Sequence, residues 1–328
     1  MVPYLKSTAT TVIAASLATS VFAEDIVKID GSSTVYPITE AVAEEFQKET
    51  GIKVTVGVSG TGGGFKKFCR GETVISEASR PIKAKEIAKC DEAGISFIEI
   101  PVAYDALSIV INKSNDWATE LTPEELKTAW GPDAQGKVSN WNQIREGFPD
   151  QPLKLYGPGA DSGTFDYFTE AIIKKSKSIR GDFTASEDDN VLVQGVAGDK
   201  GGLGYFGFAY YVENKDKLKA VKIKNGEGKF VEPSLEAVMD GSYNPLSRPL
   251  FIYLNATKAA FDPKVKKFVE FYLKNAANLS TEVGYVPFSG DEYAAITEHY
   301  KNLKTGTAYK DGPAIGLSVK EILEKVSD

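Results

Sequence analysis

The chain has 328 residues, 42% hydrophobic and 25% charged, and a formal net charge of −7. That length suggests two domains and can bury a sizeable core. The acidic balance disfavours nucleic acid and anionic membranes as partners, though a local site can still take a small anion against the global charge.

Residues 1–23 stand apart. Lys6 is their only basic side chain, followed by "TVIAASLATSVFA" and the small-residue exit Val21-Phe22-Ala23. This pattern predicts a secretory signal peptide cleaved after Ala23. The run is too short and too rich in Ser and Thr to read as a membrane anchor. Cleavage removes one lysine and no acid, so the formal balance becomes 37 − 45 = −8.

From there "IVKI" (26–29) reads as a strand, Gly31 to Thr34 as a turn, and Pro37 as the first turn of a helix whose apolar face holds Ile38, Val42 and Phe46. "IKVTVGV" (52–58) is a second strand, and "SGTGGG" opens another helix. "FIEIPVAYDALSIVIN" (97–112) holds two strand-like runs joined at Pro101. "LTPEELKTAW" (121–130) has Thr, Pro and two acids at a helix start. "LKLYG" (153–157) is a strand that runs into "GPGADSGTFDYF" (157–168) and an aromatic helix. Residues 191–213 mix a helix, a Gly-rich turn and a strand; 246–255 is a strand; the tail from 263 is mostly helical. Strand–loop–helix repetition implies an α/β architecture with largely parallel sheets.

Three loops share a composition: "DGSSTVYP" (30–37), "SGTGGGFKKF" (59–68) and "DSGTF" (161–165). A helix start offers unpaired N–H groups and a positive dipole end, glycine lets a ligand approach, and Ser and Thr add short donors. Together they suit a tetrahedral anion. Helix caps and turns explain one such loop equally well; three on strand-to-helix junctions favour an anion. Arg80, in "SEASRPIK" (76–83), offers a fork for two anion oxygens, with a surface arginine as the alternative.

Other chemistry fails on inspection. A P-loop starting at Gly60 would meet Phe65 and Lys67 where Gly and Ser/Thr are required, and no G-x-S-x-G surrounds Ser59 or Ser162. The single histidine, His299, lies in polar "ITEHYKN" and reads as an exposed helix residue, so no base activates a serine and no cluster holds a metal. Cys69 and Cys90 form a disulfide in an exported chain, or stand as buried free thiols.

The ordered set "DGSSTVYP", "SGTGGGFKKFCRGE", "ASRPI", "YDALSIVIN", "LTPEELKTAW", "SNWNQI", "DSGTFDYF" and "GLGYFGFAYY" resembles the periplasmic phosphate-binding protein, the PstS family, of the high-affinity phosphate ABC importer. The resemblance implies a two-lobed α/β type II periplasmic binding protein with two hinge crossings, near Pro101–Asp105 and Ser247–Tyr253. Lobe I would be 24–102 plus 251–328 and lobe II 103–250. It implies phosphate held by Ser32, Ser33 and Thr34, by Ser59, Gly60, Thr61 and Gly62, and by Ser162, Gly163 and Thr164, with Arg80 as the cation. The chain departs from the family where some members place an arginine, here Pro158, and where some place an aspartate, here Arg80. A carboxylate that accepts the phosphate proton is then expected at Asp161, with Glu77 and Asp188 behind it. The expected function is a non-enzymatic, cofactor-free, monomeric periplasmic receptor that delivers inorganic phosphate to an inner-membrane ABC permease. A receptor for sulfate, arsenate or molybdate, a phosphate sensor component, and an exported phosphoester hydrolase using Ser162 or Ser59 are the alternatives.

Overall fold

The computed structural model describes residues 26–310 and 317–326, so the expected leader, 1–23, lies outside the described residues. The chain runs β1 (Val27–Gly31), α1 (Tyr36–Thr50), β2 (Val54–Val58), α2 (Gly60–Phe68), β3 (Ile75–Ala78), α3 (Ala84–Glu92) and β4 (Phe97–Asn112). It continues through β5 (Glu120–Leu121), α4 (Pro123–Trp130), β6 (Lys154–Pro158), α5 (Gly163–Phe168), β7 (Thr184–Ser186), α6 (Asp189–Gly198), β8 (Gly202–Gly207) and α7 (Phe208–Glu213). Short strands β9 (Leu218–Ala220), β10 (Lys222–Lys224) and β11 (Phe230–Val231) and helix α8 (Leu235–Met239) precede β12 (Ser247–Asn255). Four helices follow: α9 (Ala256–Phe261), α10 (Pro263–Glu282), α11 (Gly290–Lys301) and α12 (Val319–Lys325).

The main sheet runs β2-β1-β3-β12-β4-β8-β6-β7, with β9 also on β4. It is mixed rather than largely parallel. β1 pairs β2 and β3 in parallel and β6 pairs β7 and β8 in parallel, but β12 and β4 run antiparallel to each other and to their other neighbours. The two runs expected around Pro101 are one 16-residue strand. Pro101 has no N–H to give to a ladder, and it faces Phe251 where the β4–β12 register shifts between Leu250 and Phe251. The irregularity absorbs the missing donor.

Burial separates two bodies on either side of these strands. One core draws its residues from 106–246 plus Val286; the others draw from 27–103 and 250–322 plus Ala209. β4 contributes to both, its first half pairing with β12 and its second half with β8 and β9. The cores are held by ordinary apolar packing. In α1 the buried positions Ile38, Val42, Ala43 and Phe46 fall at helical spacing, and Gly51 ends the helix in the left-handed region at φ 72°. Phe46 meets Phe268 and Phe271 of α10 edge-on at centroid distances of 5.2 and 5.5 Å. Truncating such a phenylalanine to alanine costs about 3–5 kcal/mol. α4 starts as its sequence demands, with Thr122 and Glu125 capping each other's backbone.

Cys69 and Cys90 form a disulfide that ties the end of α2 to α3. His299 departs from expectation. It is 4% exposed rather than on the surface, and its burial, with the charge of Lys304 behind it, holds its pKa down at about 4. The face of α11 that carries it also carries Tyr293, Ile296 and Tyr300, all buried, so the helix period rather than the polar neighbours decides its side.

Candidate functional site

The three glycine-hydroxyl loops come together where the two bodies meet. Thr34 Oγ1 lies 3.0 Å from Thr164 Oγ1, and Ser33 Oγ donates to Asp189 Oδ2 at 3.1 Å. From the second loop, Thr61 Oγ1 accepts the Ser79 N–H at 3.1 Å and sits 3.3 Å from Ser79 Oγ. Gly163 closes the gap: a Cβ there would stand 2.5 Å from both Ser79 Oγ and Thr61 Oγ1. A side chain at this position would wedge the loops apart. Thr34, Thr61, Ser79 and Thr164 are essentially inaccessible.

The other hydroxyls of these loops are spent on the fold. Ser162 caps α5, accepting the N–H of Thr164 at 3.0 Å and of Phe165 at 3.4 Å. Ser32 accepts the Thr34 N–H at 3.2 Å, and Ser59 donates to Asp30. Gly60 and Gly62 bring α2 against the third loop, where the Gly62 N–H donates to Asp161 O at 2.7 Å. Tyr210 and Tyr285 pin the first loop from outside by donating to Ser33 O and Thr34 O, at 3.1 and 2.5 Å.

Two buried arginines flank this cluster. Arg80, 5% exposed, gives Nε to Asp166 Oδ2 at 2.7 Å and both terminal nitrogens to Glu86 at 2.8 Å, with a further bond to Pro81 O. Burial opposes its charge, but Glu86 and Asp166 outweigh that and raise its pKa. Four of its five N–H groups are engaged. It is therefore a tie between α3 and α5, and its charge is already met by two carboxylates.

Arg248 differs, and sequence reasoning passed over it. It is 2% exposed, bonds Asp105 Oδ2 through Nε and Nη2 at 3.3 and 3.1 Å, and gives Nη2 to Thr164 Oγ1 at 2.7 Å. Its Nη1 is buried with no partner among the described residues. A buried cationic donor left unmade costs about 1–3 kcal/mol or more. That orphan abuts the hydroxyl cluster through Thr164. The signal for it was present: Ser247-Arg248-Pro249 repeats the Ser79-Arg80-Pro81 triplet.

The carboxylates sort as clearly. Asp161 lies on the rim, 2.8 Å from Lys66 Nζ with its side chain 43% exposed. Asp188 is exposed and caps α6 through Asn190 N. Glu77 lies beneath the first loop, where its carbonyl accepts the Ser32 N–H, and burial pushes its carboxyl up to about 8. Asp189, one residue beyond the cap, is buried at the cluster and held by Ser33. Burial first, and the nearby charge of Asp105, push Asp189 up to about 7, against the lowering pull of Ser33 and Arg248. The arrangement is a ring of hydroxyls with one unmet guanidinium edge and one acceptor that can share a proton.

The model of a PBP superfamily domain matches residues 9–276. Protein SphX of Synechococcus elongatus is 52% identical over 330 residues, covering 98% of this chain and 97% of that protein. The phosphate-binding protein PstS of Staphylococcus saprophyticus is 42% identical over 273 residues, 82% of each. A possible phosphate-binding protein from Planctomyces limnophilus superposes with a TM-score of 0.62 at 46% identity, covering 85% of this chain and 98% of its own. A putative phosphate ABC transporter substrate-binding protein with bound phosphate, from Clostridium perfringens, superposes at 0.67 with 26% identity over 80% of this chain and all of its own. The fold and site thus define a two-lobed type II periplasmic binding protein, a class that binds substrate and does not transform it. The chain belongs to the PBP superfamily, in the group that holds SphX and PstS.

Proposed function

We propose that the chain, exported through the leader 1–23, is a periplasmic receptor that closes on inorganic phosphate and hands it to an inner-membrane ABC importer. Lobe I is 24–102 with 251–328, lobe II is 103–250, and the antiparallel pair β4–β12 is the hinge. The observation that carries this reading is the unpartnered Nη1 of Arg248 at a converging set of hydroxyls from both lobes.

Phosphate oxygens take the hydroxyl donors of Thr34, Thr61, Ser79 and Thr164, while Ser33 holds Asp189 in place, and Nη1 of Arg248 supplies the one charge-assisted bond. The cation is therefore assigned to Arg248 rather than Arg80. Ser32, Ser59, Gly60, Gly62, Ser162 and Gly163 shape the cage. Asp189, rather than Asp161, Glu77 or Asp188, takes the phosphate proton. Near neutral pH phosphate still carries a proton and sulfate carries none, so a carboxylate in the cage welcomes one and repels the other.

The protein from residue 24 onward, stripped of ligand, is titrated with phosphate and with sulfate by calorimetry. One phosphate per chain with no sulfate response at this site is expected in physiological salt. Folded protein that ignores phosphate overturns the reading.

A further inference from the structure

A second feature lies beside the cage and plays no part in it. Between α2, α3 and the 160–177 region is a crevice of about 80 Å³, lined by Lys66, Arg80, Lys85, Lys89 and Lys177 with two carboxylates, Glu86 and Asp161. The same measure needs about 10–15 Å³ for one water, so a five-atom anion fits. Five cations against these two acids and Asp166, which pairs with Arg80 and Lys177 from behind, leave 5 − 3 = +2 at this spot, on a chain whose formal charge is −7. Both acids are already engaged, Glu86 by the Arg80 fork and Asp161 by Lys66. Asp166 sits behind Arg80 and takes its Nε.

Lys85 and Lys89 stand one helical turn apart on α3, and neither has a carboxylate within 4 Å among the described residues. Lys177 comes from the other body; its Nζ donates to Ala160 O at 2.6 Å and remains 3.9 Å from Asp166 Oδ1. A wider hollow of about 470 Å³ adjoins the crevice, sharing Lys66, Cys69 and Lys89 in its wall and adding Arg70, Glu92 and Ala93. The disulfide Cys69–Cys90 fixes α2 and α3 relative to each other at this point. Two ammonium groups without a carboxylate among the described residues, Lys85 and Lys89, face the same small space as Lys177, which is held only loosely, at 3.9 Å, by Asp166. Like charges lining one crevice repel each other, and an anion between them relieves that repulsion.

We propose that this crevice is an accessory oxyanion site, separate from the cage, which takes a doubly charged tetrahedral anion between Lys85 and Lys89 on one side and Lys177 on the other. An anion there ties the two lobes from outside the cage and favours the closed arrangement. Sulfate is the probe, because it is the anion the cage is built to refuse.

The ligand-stripped protein and the phosphate-saturated protein are each titrated with sulfate by calorimetry at low ionic strength, alongside K85Q/K89Q. Both forms of the wild type are expected to bind one sulfate weakly, with affinity falling roughly tenfold between about 0.02 and 0.2 M salt. The double variant, with unchanged melting temperature, is expected to lose about tenfold in sulfate affinity while its phosphate affinity stays within twofold. Equal sulfate binding by variant and wild type overturns the proposal, as does a variant that loses phosphate and sulfate affinity together. Sulfate binding that disappears once phosphate is bound overturns it too, since both anions would then share the cage. Because the sulfate arm runs without phosphate as well, its failure is distinct from failure of the phosphate reading.

Discussion

The surroundings of Arg80 and of Arg248 are nearly matched in sequence and opposite in chemistry. Each arginine follows a serine and precedes a proline, each is at least 95% buried, and each lies over an aromatic ring, Phe65 for one and Tyr167 for the other. Arg80 meets two carboxylates and has four N–H groups engaged; Arg248 meets one carboxylate and keeps Nη1 free. A buried cation whose donors are consumed can only hold structure together. One whose fork is half empty can receive an anion. Counting charges would have treated the two alike, whereas counting unmet donors separates them.

Removing Arg248 is the sharpest way to break the comparison. Arg248→Gln is expected to weaken phosphate binding by about 10²–10³-fold, consistent with about 2–5 kcal/mol for truncating one partner of a buried charged contact. Asp105 then loses its partner, so thermal unfolding is recorded in parallel, and R248K, which keeps charge but not the fork, is expected to fall between. Near-wild-type affinity in R248Q would move the cation elsewhere.

Asp189→Asn acts next, on selectivity rather than on affinity alone. It is expected to narrow the phosphate-over-sulfate ratio by about 10–100-fold, the scale of one unmet buried polar contact. It also has a pH signature. Asp189 is raised from 3.8 to about 7 in the folded ligand-free protein, so its share of stability is full below about pH 4 and is lost progressively as pH rises from there to about 7. Glu99 and Glu77, raised by burial to about 7 and about 8, act in the same direction. His299, held down at about 4, acts oppositely, losing stability as pH falls from 6.5 towards 4. The melting temperature of the stripped protein should therefore fall as pH rises from about 5 to about 8, and D189N should flatten the part of that fall below about 7. An unchanged slope in D189N would remove Asp189 from the proton-sharing role.

Arg80→Gln sharpens the other half of the comparison. Breaking its buried pairs is expected to cost about 3–5 kcal/mol of stability. Phosphate affinity should fall only about tenfold, through a less favoured closed state. A larger loss of affinity than in R248Q would reverse the assignments. Smallest of all is Asp161→Asn: its partner Lys66 is more than half exposed, and exposed pairs contribute about 0–1 kcal/mol. Selectivity over sulfate should not change.

Much of this was legible in the chain. The three loops announce themselves because glycine and hydroxyls before a helix are a local pattern, and the family motifs are long and ordered. What was not legible is the division of labour inside them. Thr34, Thr61 and Thr164 turn inward while Ser162 and Ser59 serve a cap and a carboxylate, a choice made by loop geometry. Asp188 and Asp189 are adjacent and alike, yet one caps α6 at the surface and the other is buried in the site. The extent of antiparallel pairing followed from the long strands β4 and β12 meeting side by side, a contact of residues about 150 positions apart. Arg248 was hidden because its segment reads first as a strand.

The most direct measurement is the structure of the phosphate complex. Nη1 of Arg248 should lie about 2.7–2.9 Å from a phosphate oxygen, with Asp189 on the protonated oxygen and Arg80 still bound to Glu86 and Asp166. A phosphate seated on Arg80, with Nη1 of Arg248 still unpartnered, would contradict the account.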